Sequence, residues 1–222
     1  GIVSSDPAVS EILSFILILG ITALGITVFT AAVLPEMEKS AELSHENQLT
    51  DSVLSLKTGI DKLWILGKCG MQSGTMFFPG SEKLMEGGTI QIKEGTKISF
   101  DHDDGEKTAS LLFVSVTSAY RTLHQSEYIL EGGAVFEDGT VFLPHSEKDK
   151  TAALICFTGE EEMLSANCPV TIFYTYKSLE SFSNVTNLTV SSSEIQGYWK
   201  NRLGSIDNLT LLNYEVRVEA VV

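Results

Sequence analysis

The chain has 222 residues, with 15 Lys+Arg against 29 Asp+Glu and a formal net charge of −14. That length suits one domain of ordinary size, or a modest domain with an appendage, and disfavours a multi-module enzyme. Phosphate binding needs a basic face, so the acidic balance argues against a nucleic-acid partner. A hydrophobic fraction of 43% is too high for a disordered acidic chain.

The N-terminal region contains a long apolar segment. From Ile12 to Leu34, twenty-three consecutive residues carry no charge. As a helix this segment would be about 35 Å long, which exceeds the roughly 30 Å hydrocarbon core of a bilayer. No Lys or Arg precedes it, whereas a secretory signal peptide has a basic start and a shorter apolar stretch. We therefore expect a retained helix that starts near Asp6 and is able to span a membrane.

Small side chains fall on stripes along this helix. At about 100° per residue, Gly20, Ala23, Thr27 and Ala31 share one stripe, and Gly25 lies on a second. Small residues let helices approach closely in apolar surroundings. The stripes predict neighbouring helices on more than one side. The competing interpretation is that a simple membrane anchor contains these residues, which are frequent in such helices.

Glu11 stands at the edge of the apolar segment, where an ionisable group is costly unless it reaches water or a partner. One interpretation is a solvated carboxylate at the helix start, favoured by the helix dipole. The other is a carboxylate that pairs with the amino terminus of a neighbouring subunit. Position alone leaves both open.

A second, amphipathic helix is predicted after Pro35, which bends or restarts the first. Its apolar residues recur at spacings of 4, 3, 4 and 3, and the opposite face is polar. We expect this helix to end between Gly67 and Gly70, so that residues 1–70 form a helical stalk and residues 71–222 a separate domain. The stripe consists of Leu49, Val53, Leu56, Ile60 and Leu63.

Beyond about Thr75 the apolar pattern alternates, as in strands with one buried face. Glycine turn signals separate these segments, and Asp138-Gly139 predicts a tight hairpin. One short helix is expected between Ser191 and Leu203. The predicted fold class is α+β: a long N-terminal hydrophobic α-helix, bent near Pro35, followed by an antiparallel β-sandwich-like C-terminal domain. The alternating segments are Ile90–Lys93, Ile98–Phe100, Val170–Tyr176 and Tyr214–Val222.

No catalytic or metal-ligating pattern is present in the sequence. The histidines are scattered, and the acidic stretch Asp101–Glu106 has Gly105 in fifth place, where a calcium loop needs glycine sixth. We expect a polar hairpin tip there, and a protein that is not an enzyme and uses no metal or cofactor. The histidines are His45, His102, His124 and His145.

Cysteine and asparagine positions are compatible with an extracellular domain. Cys156 and Cys168 bracket an acidic loop between two predicted strands, so a disulfide between them and buried free thiols are equal alternatives, with Cys69 left over. Asn184, Asn187 and Asn208 each begin an Asn-X-Thr sequon and are candidate glycosylation sites.

The segment Asp6–Leu17, followed by the Gly-, Thr- and Ala-rich apolar helix, resembles the N-terminal region of archaeal type IV pilin-like and archaellin-like filament subunits, the class III signal peptide family. The AVSE-type start is the specific part. The resemblance implies processing by a prepilin peptidase, a period in the cytoplasmic membrane, and extraction by an assembly motor and platform into an extracellular homopolymer. In such filaments the helices bundle centrally and the β domains, often glycosylated, face outward. Glu11 would then neutralise a neighbour's terminal amine.

The sequence also admits a protein of another class. A single-span membrane-anchored cell-surface or envelope binding protein would have the same apolar helix and the same outward acidic domain. A filament subunit should be released by shearing cells, whereas an anchored monomer needs detergent.

Overall fold

The computed structural model describes residues 7–65, 74–78, 88–120, 123–144, 147–148, 150–165, 170–191 and 195–220. The N-terminal part is one continuous helical rod: α1 (Pro7–Val28), a π-helical segment (Phe29–Val33) and α2 (Leu34–Ile65). In the π-helical segment the Leu34 N–H donates to the carbonyl of Phe29, five residues back. The irregularity predicted at Pro35 therefore takes the form of a wider turn just before it, because proline has no N–H for the next helical bond.

The remainder is rich in strands, so the α+β class is confirmed. Eight strands follow one another across a sheet in the order β1-β10-β12-β8-β3-β4-β5-β6, and β2 joins β3 to the outlying β9 and β11, while β7 pairs with β8. The elements are β1 (Gly74–Phe78), β2 (Thr89–His102), β3 (Gly105–Thr117), β4 (Glu127–Glu131), β5 (Ala134–Glu137), β6 (Thr140–Leu143), β7 (Glu147–Lys148), β8 (Thr151–Thr158), β9 (Glu162–Ser165), β10 (Val170–Ser183), β11 (Thr186–Ser191), α3 (Gln196–Leu203) and β12 (Asn208–Ala220).

Strand pairing departs from the predicted antiparallel arrangement at one place. The last described strand, β12, lies between β10 and β8 and runs antiparallel to β10 but parallel to β8, with Asn208 opposite Thr151. The sheet is therefore mixed. Between β8 and β12 the chain passes through β9, β10, β11 and α3, a connection long enough for β12 to run in the same direction as β8.

A bulge in β2 decides which face its side chains meet. The pair Glu94-Gly95, one of the glycine turn signals between predicted strands, lies within this strand. Two residues of β2, Gly95 and Thr96, oppose the single residue Leu111 of β3 there. The extra residue reverses the alternation. Ile90 and Ile92 consequently belong to one core layer, while Ile98 and Phe100 belong to the other.

The sheet is covered on both faces. On the first face α2 contributes the buried Leu49, Val53 and Leu56, which confirms this part of the predicted stripe; the side chains of Ile60 and Leu63 lie outside the described residues. On the second face, Trp199 and Leu203 of α3 are fully buried. Consecutive residues of β8 from Ala152 to Phe157 point alternately into the two layers, which explains why this stretch is apolar at every position.

Two predicted hairpins are confirmed. Asp138 and Gly139 join β5 to β6 with φ of 48° and 74°, the left-handed geometry of a type I′ turn. The acidic stretch forms the tip between β2 and β3, where His102 pairs with Gly105 across a two-residue turn.

Candidate assembly surface

The apolar part of the helical rod is uncovered. Residues 10–37 are exposed on every face of the helix, and the exposed fractions of Ile12, Phe15 and Leu24 are 61%, 67% and 68%. Water solvates such a surface poorly, so an apolar helix of this length needs lipid or other helices around it. In the described part of the chain, this rod is the one helix long and apolar enough to cross a membrane.

The threonine hydroxyls of this surface are satisfied within the helix. Thr22 donates to the carbonyl of Ile18 and Thr27 to that of Ala23, both at 2.8 Å, and Thr30 donates to that of Ile26 at 3.0 Å. An unpaired hydroxyl in an apolar environment costs free energy, and these bonds remove that cost. Thr27 therefore contributes to the predicted stripe as a small, internally satisfied residue.

The predicted assembly residues all lie on the uncovered rod. Glu11 is exposed near its start, and Ala23, Thr27 and Ala31 are exposed along it. A Cβ built at Gly20 or Gly25 meets nothing within 4 Å. Packing within one subunit gives no reason for glycine at either position, although glycine costs about 1 kcal/mol relative to alanine in a helix. Whether neighbouring helices use the stripes stays a prediction.

The second half of the rod packs against the β domain and is hydrogen-bonded to it. Besides Leu49, Val53 and Leu56, polar groups on the same face of α2 make specific bonds. Glu42 Oε2 accepts from the backbone N–H of Leu123 at 3.0 Å, and His45 Nδ1 lies 2.7 Å from the hydroxyl of Tyr120. We use the name docking face for one set of α2 residues: Glu42, His45, Glu46, Leu49, Thr50, Val53 and Leu56.

Tyr128 of β4 joins the docking face through its hydroxyl, which donates to Glu46 Oε1 at 3.0 Å and lies 3.2 Å from Thr50 Oγ1. Burial, reinforced by the neighbouring Glu46 carboxylate, raises the pKa of both Tyr120 and Tyr128 well above the usual value. Both tyrosines therefore stay neutral and keep their hydroxyl protons at physiological pH.

Sequence reasoning did not single out these polar partners. A signal was present, since Glu42, His45 and Glu46 extend the stripe of Leu49 and Val53 toward the N-terminus at spacings of three and four. Their polarity hid it, because a stripe is recognised by its apolar members.

The candidate glycosylation sites are exposed. Asn184 and Asn187 flank the turn between β10 and β11, and Asn208 begins β12. The Asn184 side-chain amide donates to the Asp103 carboxylate at 3.1 Å, and that of Asn187 donates to Asp101 Oδ2 at 2.7 Å. These bonds tie the acidic hairpin tip to the sequons. Glycan occupancy stays a prediction.

Cys156 is a free thiol, buried in the second core layer on β8. It therefore does not form the disulfide that was one of the two alternatives, because its side chain points into the apolar layer with Leu154 and Ala152. Burial raises the pKa of this thiol to about 12, so it is unreactive. Cys168 and Cys69 lie outside the described residues.

The architecture defines a class of protein: an α+β domain carried on a helix that is able to span a membrane. Comparisons of the chain with protein-family models, curated proteins and solved structures find no match.

Proposed function

We propose that this protein is the structural subunit of an extracellular archaeal type IV pilus-like filament, in which α1 bundles with the α1 helices of neighbouring subunits and the β domain faces outward. The observation that supports this most is the contrast along one rod. Residues 12–34 carry no charge and are uncovered, whereas the docking face that follows is packed against the sheet. In such a subunit, α2 is fixed to the β domain and α1 remains free to pack against helices of other subunits.

Self-association accounts for the small residues better than lipid does. Gly20 and Gly25 open shallow sites on a helix that does not need glycine for its own packing. Close approach of a second helix uses such sites, and lipid chains do not require them. Head-to-tail contacts that do not close into a ring then produce a polymer. Before assembly the same helix would reside in the cytoplasmic membrane, with a prepilin peptidase and an assembly motor and platform as partners by resemblance.

The outward domain has the properties of a filament exterior. Its sequons are exposed, and the chain as a whole is strongly acidic. Like charge keeps neighbouring filaments apart in solution. Adhesion and motility are both compatible with this surface.

The second candidate is a single-span membrane-anchored cell-surface or envelope binding protein. The internally bonded threonines suit a helix that remains in lipid, because their hydroxyl groups need no outside partner. They suit a helix in a filament core equally well. The two candidates differ in the final environment of α1.

Shearing cells that produce the protein separates the two. For a filament subunit we expect the full chain in the sheared fraction and regular fibres containing it under negative stain. For an anchored monomer, the protein would stay with the membrane and be monodisperse in mild detergent. Fibre-free cells at abundant expression would overturn the filament proposal.

A further inference from the structure

The side of α2 that points away from the β domain carries few charges. Four acidic or basic residues occur between positions 40 and 58. Glu42 and Lys57 are buried, Glu46 is half-buried, and Asp51 is exposed. A helix that lies on a domain in water normally has the reverse arrangement, with its charges on the outside. The uncovered side of α2 is therefore suited to contact with another protein surface.

Residues on this uncovered side recur at an interval of eleven, with a base in place of an acid at one position. Eleven residues make three helical turns plus about 20°, so the two members of each pair lie on one stripe, about 16 Å apart along the axis. All these side chains are exposed, and the exposed fractions of Leu43 and Leu54 are 45% and 39%. We use the name outer face for three pairs of residues: Leu43 and Leu54, Ser44 and Ser55, and Asp51 and Lys62.

The two charged groups of the outer face are unpaired in the described part of the subunit. Elsewhere on α2, Lys57 and Asp61 form an ion pair, whereas Asp51 and Lys62 have no ion-pair partner among the described residues. About 16 Å of helix separates them, so they cannot pair with each other. Both charges are therefore available to a partner.

A second copy of the chain fits the charges of the outer face better than a partner of opposite charge. The net charge of −14 makes whole copies repel each other. Copies therefore approach most easily where the local charge sums to zero, as it does for Asp51 and Lys62. A strongly basic partner would meet one carboxylate here beside an ammonium group, and so would gain little.

The register between two parallel copies follows from the repulsion of like charges. At equal height, Asp51 would lie opposite Asp51 and Lys62 opposite Lys62. A shift of eleven residues instead puts Asp51 opposite Lys62 and Leu43 opposite Leu54, so that opposite charges meet and apolar side chains meet. Subunits of one filament point the same way, which makes the parallel arrangement the relevant one.

We propose that neighbouring subunits pack the outer faces of their α2 helices together in parallel, shifted by eleven residues, with Asp51 of one subunit paired to Lys62 of the next. The inference rests on the proposed filament function, to which it adds an interface on α2 and an axial shift of about 16 Å between neighbours. Each subunit offers Asp51 to one neighbour and Lys62 to another. The contact is therefore heterologous and continues along a polymer without closing on itself.

Exchange of the two charges tests the contact in sheared filaments. Asp51→Lys or Lys62→Asp alone places like charges opposite each other, so each should lower the filament yield at least about tenfold. The double variant restores opposite charges and should recover the yield to within about twofold. Glu106→Lys, the same charge change on the exposed hairpin tip, is the matched control and should leave the yield unchanged. The melting temperature of each variant in mild detergent should equal that of the unaltered protein, because Asp51 and Lys62 are exposed.

Cross-linking provides a second measurement that needs no variant. A carbodiimide forms an amide between a carboxylate and an amine in direct contact, with loss of water. In filaments of the unaltered protein we expect a peptide that joins Asp51 to Lys62. In detergent-dispersed monomers we expect none, because about 16 Å separates these residues within one chain.

The outcomes distinguish this contact from the filament function. Abundant filaments without the cross-link, full yield from either single variant, or a double variant no better than the single ones would overturn the contact and leave the filament function standing. If the unaltered protein forms no filaments, the filament function fails and this inference fails with it.

Discussion

The two halves of the N-terminal rod are one continuous helix in opposite environments. In α1, large apolar side chains such as Leu17 are 63% exposed, whereas Leu49 of α2 is 2% exposed. Among the described residues of the rod, polar groups bonded to the β domain belong to α2. The same secondary structure therefore serves two purposes: α2 stabilises the subunit, and α1 is left available for surroundings that the subunit does not provide.

The largest effect is expected from Gly20→Leu. Its side chain would occupy the open site on α1 without touching the rest of the subunit. We expect sheared filaments to fall by at least about tenfold, since close helix approach is lost, while the far-ultraviolet circular dichroism in detergent is unchanged. Leu24→Ile, a volume-conserving change on the same helix, is the matched control. Normal filament yield from Gly20→Leu would show that this stripe is not a contact.

A matched pair of leucine truncations compares the halves directly. Leu49→Ala should lower the free energy of unfolding of the β domain by about 2–5 kcal/mol, because it leaves a cavity in the first core layer. Leu17→Ala should change it by less than about 0.5 kcal/mol. Guanidinium unfolding in mild detergent, followed by tryptophan fluorescence, measures both. Similar losses would mean that α1 also packs on the domain.

Alkaline pH should act on the β domain with its docking face and leave α1 unaffected. The folded-state pKa of Tyr120 and of Tyr128 is raised, so their contribution to stability is complete below the ordinary tyrosine pKa of about 10 and is lost as the pH rises further. No titratable group occurs between Ile12 and Leu34. We expect unfolding of the domain above about pH 10 with the helicity of α1 retained.

Tyr128→Phe sharpens this expectation. It removes the hydroxyl that donates to Glu46, so it should cost about 1–2 kcal/mol at neutral pH and reduce the alkaline loss. Thermal unfolding at about pH 8 and about pH 11 measures both effects. A variant with the full alkaline loss would assign it to other groups.

The smallest effect is expected from Thr27→Val. Valine has nearly the same shape, and the bond it removes is internal to the helix. The free energy of unfolding should change by less than about 0.5 kcal/mol, and filament yield should be unaltered. A clear drop in filaments with an intact fold would instead indicate that the Thr27 hydroxyl bonds to a neighbouring subunit.

Local patterns in the sequence were sufficient for much of the architecture. The helix from Ile12 to Leu34, the Leu49, Val53 and Leu56 part of the stripe and the Asp138-Gly139 hairpin each depend on neighbours a few residues away, and each was predicted correctly. The predicted start of the helix near Asp6 and its predicted end between Gly67 and Gly70 lie outside the described residues and stay predictions.

Long-range pairing decided the rest. Three features join residues that are far apart in the chain: the parallel contact of β12 with β8, the bulge at Glu94–Lys97 and the partners of Tyr128. The alternation of residues within one strand does not predict them. The bulge shows the limit most clearly, because one inserted residue reverses the faces of Ile98 and Phe100 without changing the local composition. Glu131 likewise reads as one acid among many until the fold buries it.

The sequence by itself determined that a long apolar helix precedes an acidic, strand-rich domain, because hydrophobic periodicity is a local property of the chain. Only the tertiary structure decided where the covered part of that helix begins, since this depends on which distant segments supply Tyr120, Tyr128 and the first core layer to α2. Burial is a property of the assembled fold, and the boundary between α1 and the docking face is set by it.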